Sequence, residues 1–503
     1  MKKLFLPILM SFMLSMTTNA EIVEIDGIYY DVLKKINNAK VTGIRSNYVG
    51  AISIPESVEY EGTVCTVTSI ANRAFAGCSG LTSLIIPNSV TTIGYDAFQN
   101  CNGLTTVKIG SGLTTIEPYR GSGGASYTSP FNGCTALTSI TVADDNAIFD
   151  SRNNCNAIIE TATNKLRVGC KGTVIPNTVT SIADYSFQNS GLNTINIPDW
   201  VTSIGNYAFS SCNYLTSLTI GDGVTTISRD AFSSCKNLSS VTIGRNVTII
   251  DVDAFSECSS LTSIVLPNGV TSIGQFSFSS CSSLTSMTLP ESVTSIDYGA
   301  FSGCSGLTSI TIGDGVTSLG NYAFSGCSGL TSMTIGNSLK SIGDQTFLNC
   351  SSLTSVTIPN NIRIIGKKAF YNNKHLITIT IGSGIAKIDT LAFASCQELT
   401  DVYCLAKKVP TANSQAFAGS YINYCSLHVP AEAVDQYKAK VPWNGFKDIE
   451  AITEQESEIR DVKNDSMIEY SRFTIDGLQI KQPQRGINII KMSDGTTKKV
   501  VVK

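Results

Sequence analysis

The stretch LTSITIGDGVTSLGNYAFSGC, residues 307–327, decides the fold. Ile310 and Ile312 keep the period of two that a strand demands, and Leu307 ahead of them turns to the same interior. Gly313, Asp314 and Gly315 then turn the chain. Val316 and Leu319 predict a second short extended segment, and Ala323 with Phe324 predicts a helical turn on the opposite side. Moving outward from this copy, the pattern Phe-x-x-Cys places Cys212, Cys235, Cys258, Cys281, Cys304, Cys327 and Cys350 at a spacing of 23 residues, with Cys396 two periods further on. Cys78 and Cys101 repeat the spacing earlier, Cys134 ends a stretched copy, and Ser190, Asn373 and Ser420 stand where cysteine is replaced.

A period of this length means one supersecondary unit per copy. A single copy holds too few apolar side chains to offset the entropy of ordering its residues, so the copies must stack. The fold class is therefore a mainly β repeat solenoid of 23-residue coils with parallel strands, whose stability is a sum over neighbouring coils.

The opening of each copy fits the L-x-x-L-x-L strand of leucine-rich repeats. The fuller pattern Leu-Thr-Ser-Ile-x-Ile-Pro/Gly-x-x-Val-Thr-Ser-Ile-Gly-x-x-Ala-Phe-x-x-Cys resembles the BspA-like leucine-rich repeats of Bacteroidetes surface proteins, over about residues 66–427. That resemblance implies a right-handed solenoid, and an association with adhesion to host or bacterial surface molecules. A shared scaffold does not fix a ligand.

Outside the repeats the chain changes character. Lys2 and Lys3, an apolar run to Met16 and a small polar stretch to Ala20 have the layout of a secretory signal peptide, residues 1–20. The run is shorter than a membrane span needs, so no integral span is expected after its removal. Residues 21–65 read as an N-terminal β cap, and 66–428 as the repeats, interrupted by an irregular insertion over 116–180. Within that insertion, a Gly/Ser-rich stretch at 121–129 is expected to bulge as a loop. Pro430 marks the start of a C-terminal cap helix in 429–449, with Trp443 and Phe446 as its apolar plug. Residues 450–465 carry six acidic and two basic side chains and read as a solvated linker. In 466–503, Asp-Gly turns separate short alternating segments, a small β module. Its Asp476-Gly477, Arg485-Gly486-Ile487 and closing Lys-Lys-Val-Val-Val run resemble the sorting segment read by the type IX secretion system. The expected location is thus secreted or outer cell surface.

Losing Lys2 and Lys3 takes the formal charge from −3 to −5, which leaves no basic footprint for nucleic acid. No cofactor motif appears: there is no G-x-S-x-G elbow, P-loop or H-E-x-x-H, and the two histidines, His375 and His428, cannot form a His-rich metal site. An enzyme is not expected. Asp144, Asp145, Asn146 and Asp150 could offer oxygens to calcium, but their spacing fits a plain turn better. The ladder cysteines point in parallel on successive coils and read as small buried apolar residues. Cys155 with Cys170, and Cys404 with Cys425, lie outside the ladder and are the better disulfide candidates.

The candidate ligand-binding residues come from the fifth position of the strand motif, which points away from the core. They are Thr219, Thr242, Thr288, Thr311, Thr334, Thr357 and Thr380, with Val265 in the same row. Ser217, Ser240, Ser263, Ser286, Ser309, Ser332 and Ser355 flank them. β-propensity alone explains such threonines. The functional alternative is an uncharged hydroxyl face for an extracellular protein or glycan ligand, with structural self-association, or contact with ice or crystalline polysaccharide, as further readings.

Overall fold

The computed structural model describes residues 21–43, 48–117 and 129–452, together with the backbone of strands Tyr119–Gly121, Gly124–Ser126, Glu469–Thr474, Gln479–Ile480, Gly486–Met492 and Thr497–Val502. The signal-like residues 1–20, most of the acidic stretch, and Asp476, Gly477 and Arg485 lie outside the described residues. Two compact units divide the chain, Met1–Val247 and Thr248–Lys503.

The first unit opens with an antiparallel meander, Glu21–Ile25, Ile28–Leu33 and Asn38–Thr42. Asp26 and Gly27 both have positive φ, +49° and +79°, the backbone that a two-residue hairpin turn requires. Asn38–Thr42 then pairs parallel with Thr63–Ile70, which is followed by Thr92–Ile93 and Thr115–Ile116. A second parallel sheet orders Gly50–Ser53, Leu81–Ile86, Thr106–Ile109 and Ser139–Val142. The stretch 121–129, expected as a loop, carries part of an antiparallel strand pair, Tyr119–Gly121 with Gly124–Ser126. The rest of the insertion is also partly ordered β structure. Phe149–Asp150, Ile158–Glu160 and Lys165–Val168 pair antiparallel, and the last rejoins the stack parallel to Ser181–Ile182.

The second unit stacks regular coils. Ser309–Ile312 pairs in register with Ser332–Ile335, each residue opposite the one 23 further on. Ser318–Leu319 pairs parallel with Ser295–Ile296 on a second side. The long strands start two residues later than the L-x-x-L-x-L motif suggests, because each leucine still closes a turn: the Leu307 amide donates to Cys304 O at 3.1 Å.

The third side corrects the expected helical turn. Amides of Ala323, Ser325 and Cys327 bond three residues back at 3.3, 2.9 and 3.2 Å, while those of Tyr322, Phe324 and Gly326 donate to Asp344, Thr346 and Leu348 of the next coil. Tyr322 at φ +60° and Gly326 at φ +75° alternate the peptide directions and prevent a helix. The same residue two after phenylalanine is Ser280, Gly303, Asn349, Asn372 or Ser395 in other coils, all at positive φ. Glu257, at φ +59°, holds the same position after Phe255, so the left-handed backbone recurs there whichever residue stands in it.

Inside the coil, Leu307, Ile310, Ile312, Val316, Ala323, Phe324 and Cys327 are all buried. Phenylalanines stack from coil to coil: Phe278, Phe301, Phe324 and Phe347 follow at centroid distances of 5.4, 5.2 and 5.5 Å, with ring planes within 4°. The end of this column is closed by Trp443 and Phe446, both meeting Phe417 edge-on. Helix is almost absent among the described residues. The C-terminal cap holds a five-residue α-helix, Val434–Lys438, entered through a 3-10 turn at Ala431–Ala433. Strand Asp448–Ala451 then pairs parallel with Ser426–Val429. The strands Glu469–Thr474, Gln479–Ile480, Gly486–Met492 and Thr497–Val502 pair as a four-stranded antiparallel sheet.

Candidate ligand-binding face

Along each long strand, alternate side chains face opposite ways. In Ser309–Ile312 the pattern is exposed, buried, exposed, buried, so Ser309 and Thr311 face out over Ile310 and Ile312. In the first unit Thr219 and Thr242 are exposed and paired in register. In the second, Thr288 and Thr311 are exposed, Thr334 is half-buried, and Thr357 is exposed. Val265 is 80% exposed, a hydrophobic gap in the row. Of the flanking serines, Ser240, Ser263, Ser286, Ser309, Ser332 and Ser355 are exposed and Ser217 is half-buried.

Thr380 departs from the expectation. It is only 7% exposed, because the residue in register with it on the next coil is Tyr403 rather than a small side chain. The Tyr403 ring stacks on His428 at 4.2 Å, and His428 Nε2 meets Asp401 Oδ1 at 3.0 Å. Here the hydroxyl surface gives way to an aromatic and ionisable one. His375, the other histidine, faces Glu398 at 2.9 Å on an exposed turn.

A neighbouring set of hydroxyls does a different job. Thr285, Thr308 and Thr331, at the second position of the motif, donate to the carbonyls of Thr262, Thr285 and Thr308 on the preceding coil, at 3.2, 3.1 and 3.0 Å. Thr271, Thr294 and Thr317 do the same beside the short strands. These threonines complete the inter-coil ladders. They look identical in sequence to the outward row, and only their position in the coil separates them.

The cysteines are also more than small apolar fillers. Cys281, Cys304, Cys327 and Cys350 each approach the carbonyl of the phenylalanine 26 residues earlier, at 3.1–3.3 Å. At two of the three positions where cysteine is replaced the substitute keeps the bond: Asn373 donates to Phe347 O at 3.1 Å and Ser420 to Phe393 O at 2.6 Å, while the Ser190 hydroxyl meets Cys212 Sγ at 3.5 Å. Asn and Ser at a buried cysteine position were the sequence signal for a required donor. Burial pushes the Cys281, Cys350 and Cys396 thiols up to about 12. The candidate disulfides are corrected too. All sixteen cysteines are free, with Cys170 Sγ turned to Asn156 O, Cys425 Sγ to Leu399 O and Cys404 Sγ accepting from Tyr437 Oη.

The acidic stretch considered for calcium is a turn built on Asn146. Its amide donates to Gly110 O and Leu113 O, its oxygen accepts from Ile148 and Phe149 N–H, and Asp150 pairs with Arg152.

Parallel strands recurring every 23 residues over an interior of leucine, isoleucine and stacked phenylalanine define a leucine-rich-repeat β-solenoid. The BspA type leucine rich repeat region (6 copies) matches residues 56–163, 165–282, 248–374 and 321–437, and the chain belongs to that family. Among solved structures it is similar to a leucine-rich repeat protein from Bacteroides ovatus ATCC 8483, at 28% identity over 86% of this chain and 100% of that one, TM-score 0.60. A leucine rich cell surface protein from Faecalibacterium prausnitzii A2-165 matches at 26% identity over 76% of this chain and 94% of that one, TM-score 0.42. The pneumococcal vaccine antigen PcpA matches at 18% identity over 86% and 99%, TM-score 0.39. No curated protein matches the chain.

Proposed function

We propose that this protein is a non-enzymatic binding or adhesion protein of the cell surface or extracellular space, presenting its outward Ser/Thr face to a protein or glycan. The observation that carries this reading is the exposure of Ser286, Thr288, Ser309 and Thr311 on consecutive parallel strands. Extended faces of this kind are what solenoids use for recognition. The signal-like residues 1–20 favour export, and the resemblance of 466–503 to a sorting segment favours surface display. No helix among the described residues is long and apolar enough to cross a membrane.

The test is an array of matrix proteins and glycans probed with the full chain, followed by arginine at Thr288, Thr311 and Thr334. Those side chains stand outside the core, so the triple variant should fold and lose binding. Retained binding by the folded variant would overturn the assignment of this face. Deleting 466–503 in a host with type IX secretion should strand the protein in the periplasm, and normal display would refute the sorting role.

A further inference from the structure

Charge is unevenly distributed along the second unit. Residues 248–339 hold six acidic side chains and no lysine or arginine, whereas 340–390 hold six basic and two acidic ones. The boundary falls between two coils, those of Ser318–Leu319 and Ser341–Ile342. The ladder of short strands is interrupted there, while the other sides continue: Gly336 N donates to Ile312 O at 2.8 Å and Tyr322 N to Asp344 O at 3.0 Å.

The charges gather at the two ends of the short strands. On the acidic coils, exposed Glu291 precedes Ser295–Ile296, half-buried Asp297 follows it, and exposed Asp314 precedes Ser318–Leu319. On the basic coils, Lys340 precedes Ser341–Ile342, Arg363 precedes Ile364–Ile365 and Lys367 follows it, all three exposed. None of these six makes an ion pair among the described residues. Lys340 and Arg363 lie on successive coils, joined by the bond from Arg363 N to Lys340 O at 2.8 Å. They stand in the row where Thr271, Thr294 and Thr317 donate to the preceding coil. Hydroxyl bonds are given up there for two like charges side by side, an arrangement that is destabilising without a counter-charge. Asp297 bears the converse cost, since burial raises its carboxyl and no cation among the described residues offsets it. The other charges on this side are engaged: Asp251 accepts from the Val252 amide, Asp344 from the Lys367 amide, and Lys387 pairs with Asp389.

We infer that this side binds a second copy of the chain, the two solenoids antiparallel with their short-strand sides face to face. A two-fold axis in the interface, parallel to the strands and between Ser318–Leu319 and Ser341–Ile342, reverses the order of the coils and keeps like strand ends opposite each other. Asp314 then faces the partner's Lys340, Glu291 the partner's Arg363, and Asp297 the partner's Lys367. Symmetry makes each contact twice. A parallel pairing in register would set acid against acid, and an anionic polymer would satisfy the basic coils alone. Charge complementarity fixes orientation and specificity more than affinity. A patch a few coils long buries less than the roughly 800 Å² per partner of a standard interface, so the dimer is weak and salt-sensitive. It leaves the long-strand side of both copies uncovered, and the inference does not depend on the threonine face.

Sedimentation velocity of the full chain tests the inference. Dimer is expected at about 0.1 mM protein and about 0.1 M salt, where charges are screened over roughly 10 Å. The dissociation constant should rise at least about tenfold at about 1 M salt, where that length is roughly 3 Å. Lys340→Glu with Arg363→Glu should weaken the unmodified dimer by about tenfold or more, and so should Glu291→Lys with Asp314→Lys. An equimolar mixture of the two variants should associate again, because every reversed charge then meets its opposite. The four side chains are exposed, so both variants should fold, and the salt dependence of the unmodified chain stands as a test even if one does not. A monomer at low salt, a dimer indifferent to salt, unweakened association of either folded variant, or a mixture of the folded variants that stays monomeric would each overturn the proposal.

Discussion

Replacing Phe301 by alanine removes a ring from the middle of the second unit's phenylalanine column. The side chain is fully buried, and its neighbours Phe278 and Phe324 stack on both faces at 5.4 and 5.2 Å. Truncating a buried phenylalanine costs about 3–5 kcal/mol, the larger values applying where the surroundings cannot close over the void. Closure is blocked here. Phe301 N donates to Ala323 O at 2.8 Å and Gly303 N to Ser325 O at 2.7 Å, so the backbone keeps the coils at their spacing whatever fills the interior. The expected loss is therefore in the upper half of the range, about 4–5 kcal/mol. Because a long array need not unfold in one step, a single melting point averages over coils. Hydrogen exchange resolves them: the amides of Phe301, Gly303, Phe324 and Gly326 should lose about three decades of protection at about 1.4 kcal/mol per decade. Protection within one decade of the unmodified chain would refute the claim that the column carries the stack.

Two further perturbations probe the cysteine position. Thiols that titrate near 9 when exposed are held up to about 12 at Cys281, Cys350 and Cys396, so above pH 9 the unfolded chain binds fewer protons than the folded one. Stability should then fall as pH rises through this window, by about 1.4 kcal/mol per thiol per pH unit. Urea midpoints at pH 7, 9 and 10 check this against Cys350→Ala, and identical slopes for the two proteins would contradict it. Asn373 keeps the donor to Phe347 O but leaves its own Oδ1 buried without a hydrogen-bond partner among the described residues. An unmet buried acceptor costs about 1–3 kcal/mol, so Asn373→Cys should stabilise the chain by about 1 kcal/mol and Asn373→Leu should not. A destabilised Asn373→Cys in urea titration would show that the donor is not what the position selects.

The solenoid was legible because one copy states its own rules: a period of two in Ile310 and Ile312, a turn at Gly313, and a return of the pattern after 23 residues. Hydrophobic periodicity reports burial directly, and burial is what a stack of coils repeats. Backbone hydrogen bonds between coils leave no such mark on side-chain polarity. Ala323-Phe324 predicts a helical turn on the third side, whereas its amides bond alternately to their own coil and to the next. The hydroxyl row was legible up to Thr357 and failed at Thr380, because exposure there is set by Tyr403 on the following coil, outside the copy being read.

Regularity and recognition pull in different directions on such a scaffold. Outward hydroxyls at Ser286, Thr288, Ser309 and Thr311 repeat with the coil, so a partner displaced by one coil meets nearly the same surface. A face of that kind supplies area and summed weak contacts, but little register. Register needs positions where the repeat is broken. In the second unit the breaks are Val265, which interrupts the hydroxyl row, and the Asp401, Tyr403 and His428 group at the end of the long-strand sheet. In the first unit the break is the insertion, whose antiparallel pair Ile158–Glu160 and Lys165–Val168 departs from the repeat. If the face binds a long ligand, threonine substitutions should lower affinity in proportion to their number, because each coil contributes a similar share. Substitutions at Val265 or Tyr403 should instead change which ligands on the array are retained, since specificity is a difference between affinities and a uniform row contributes equally to both.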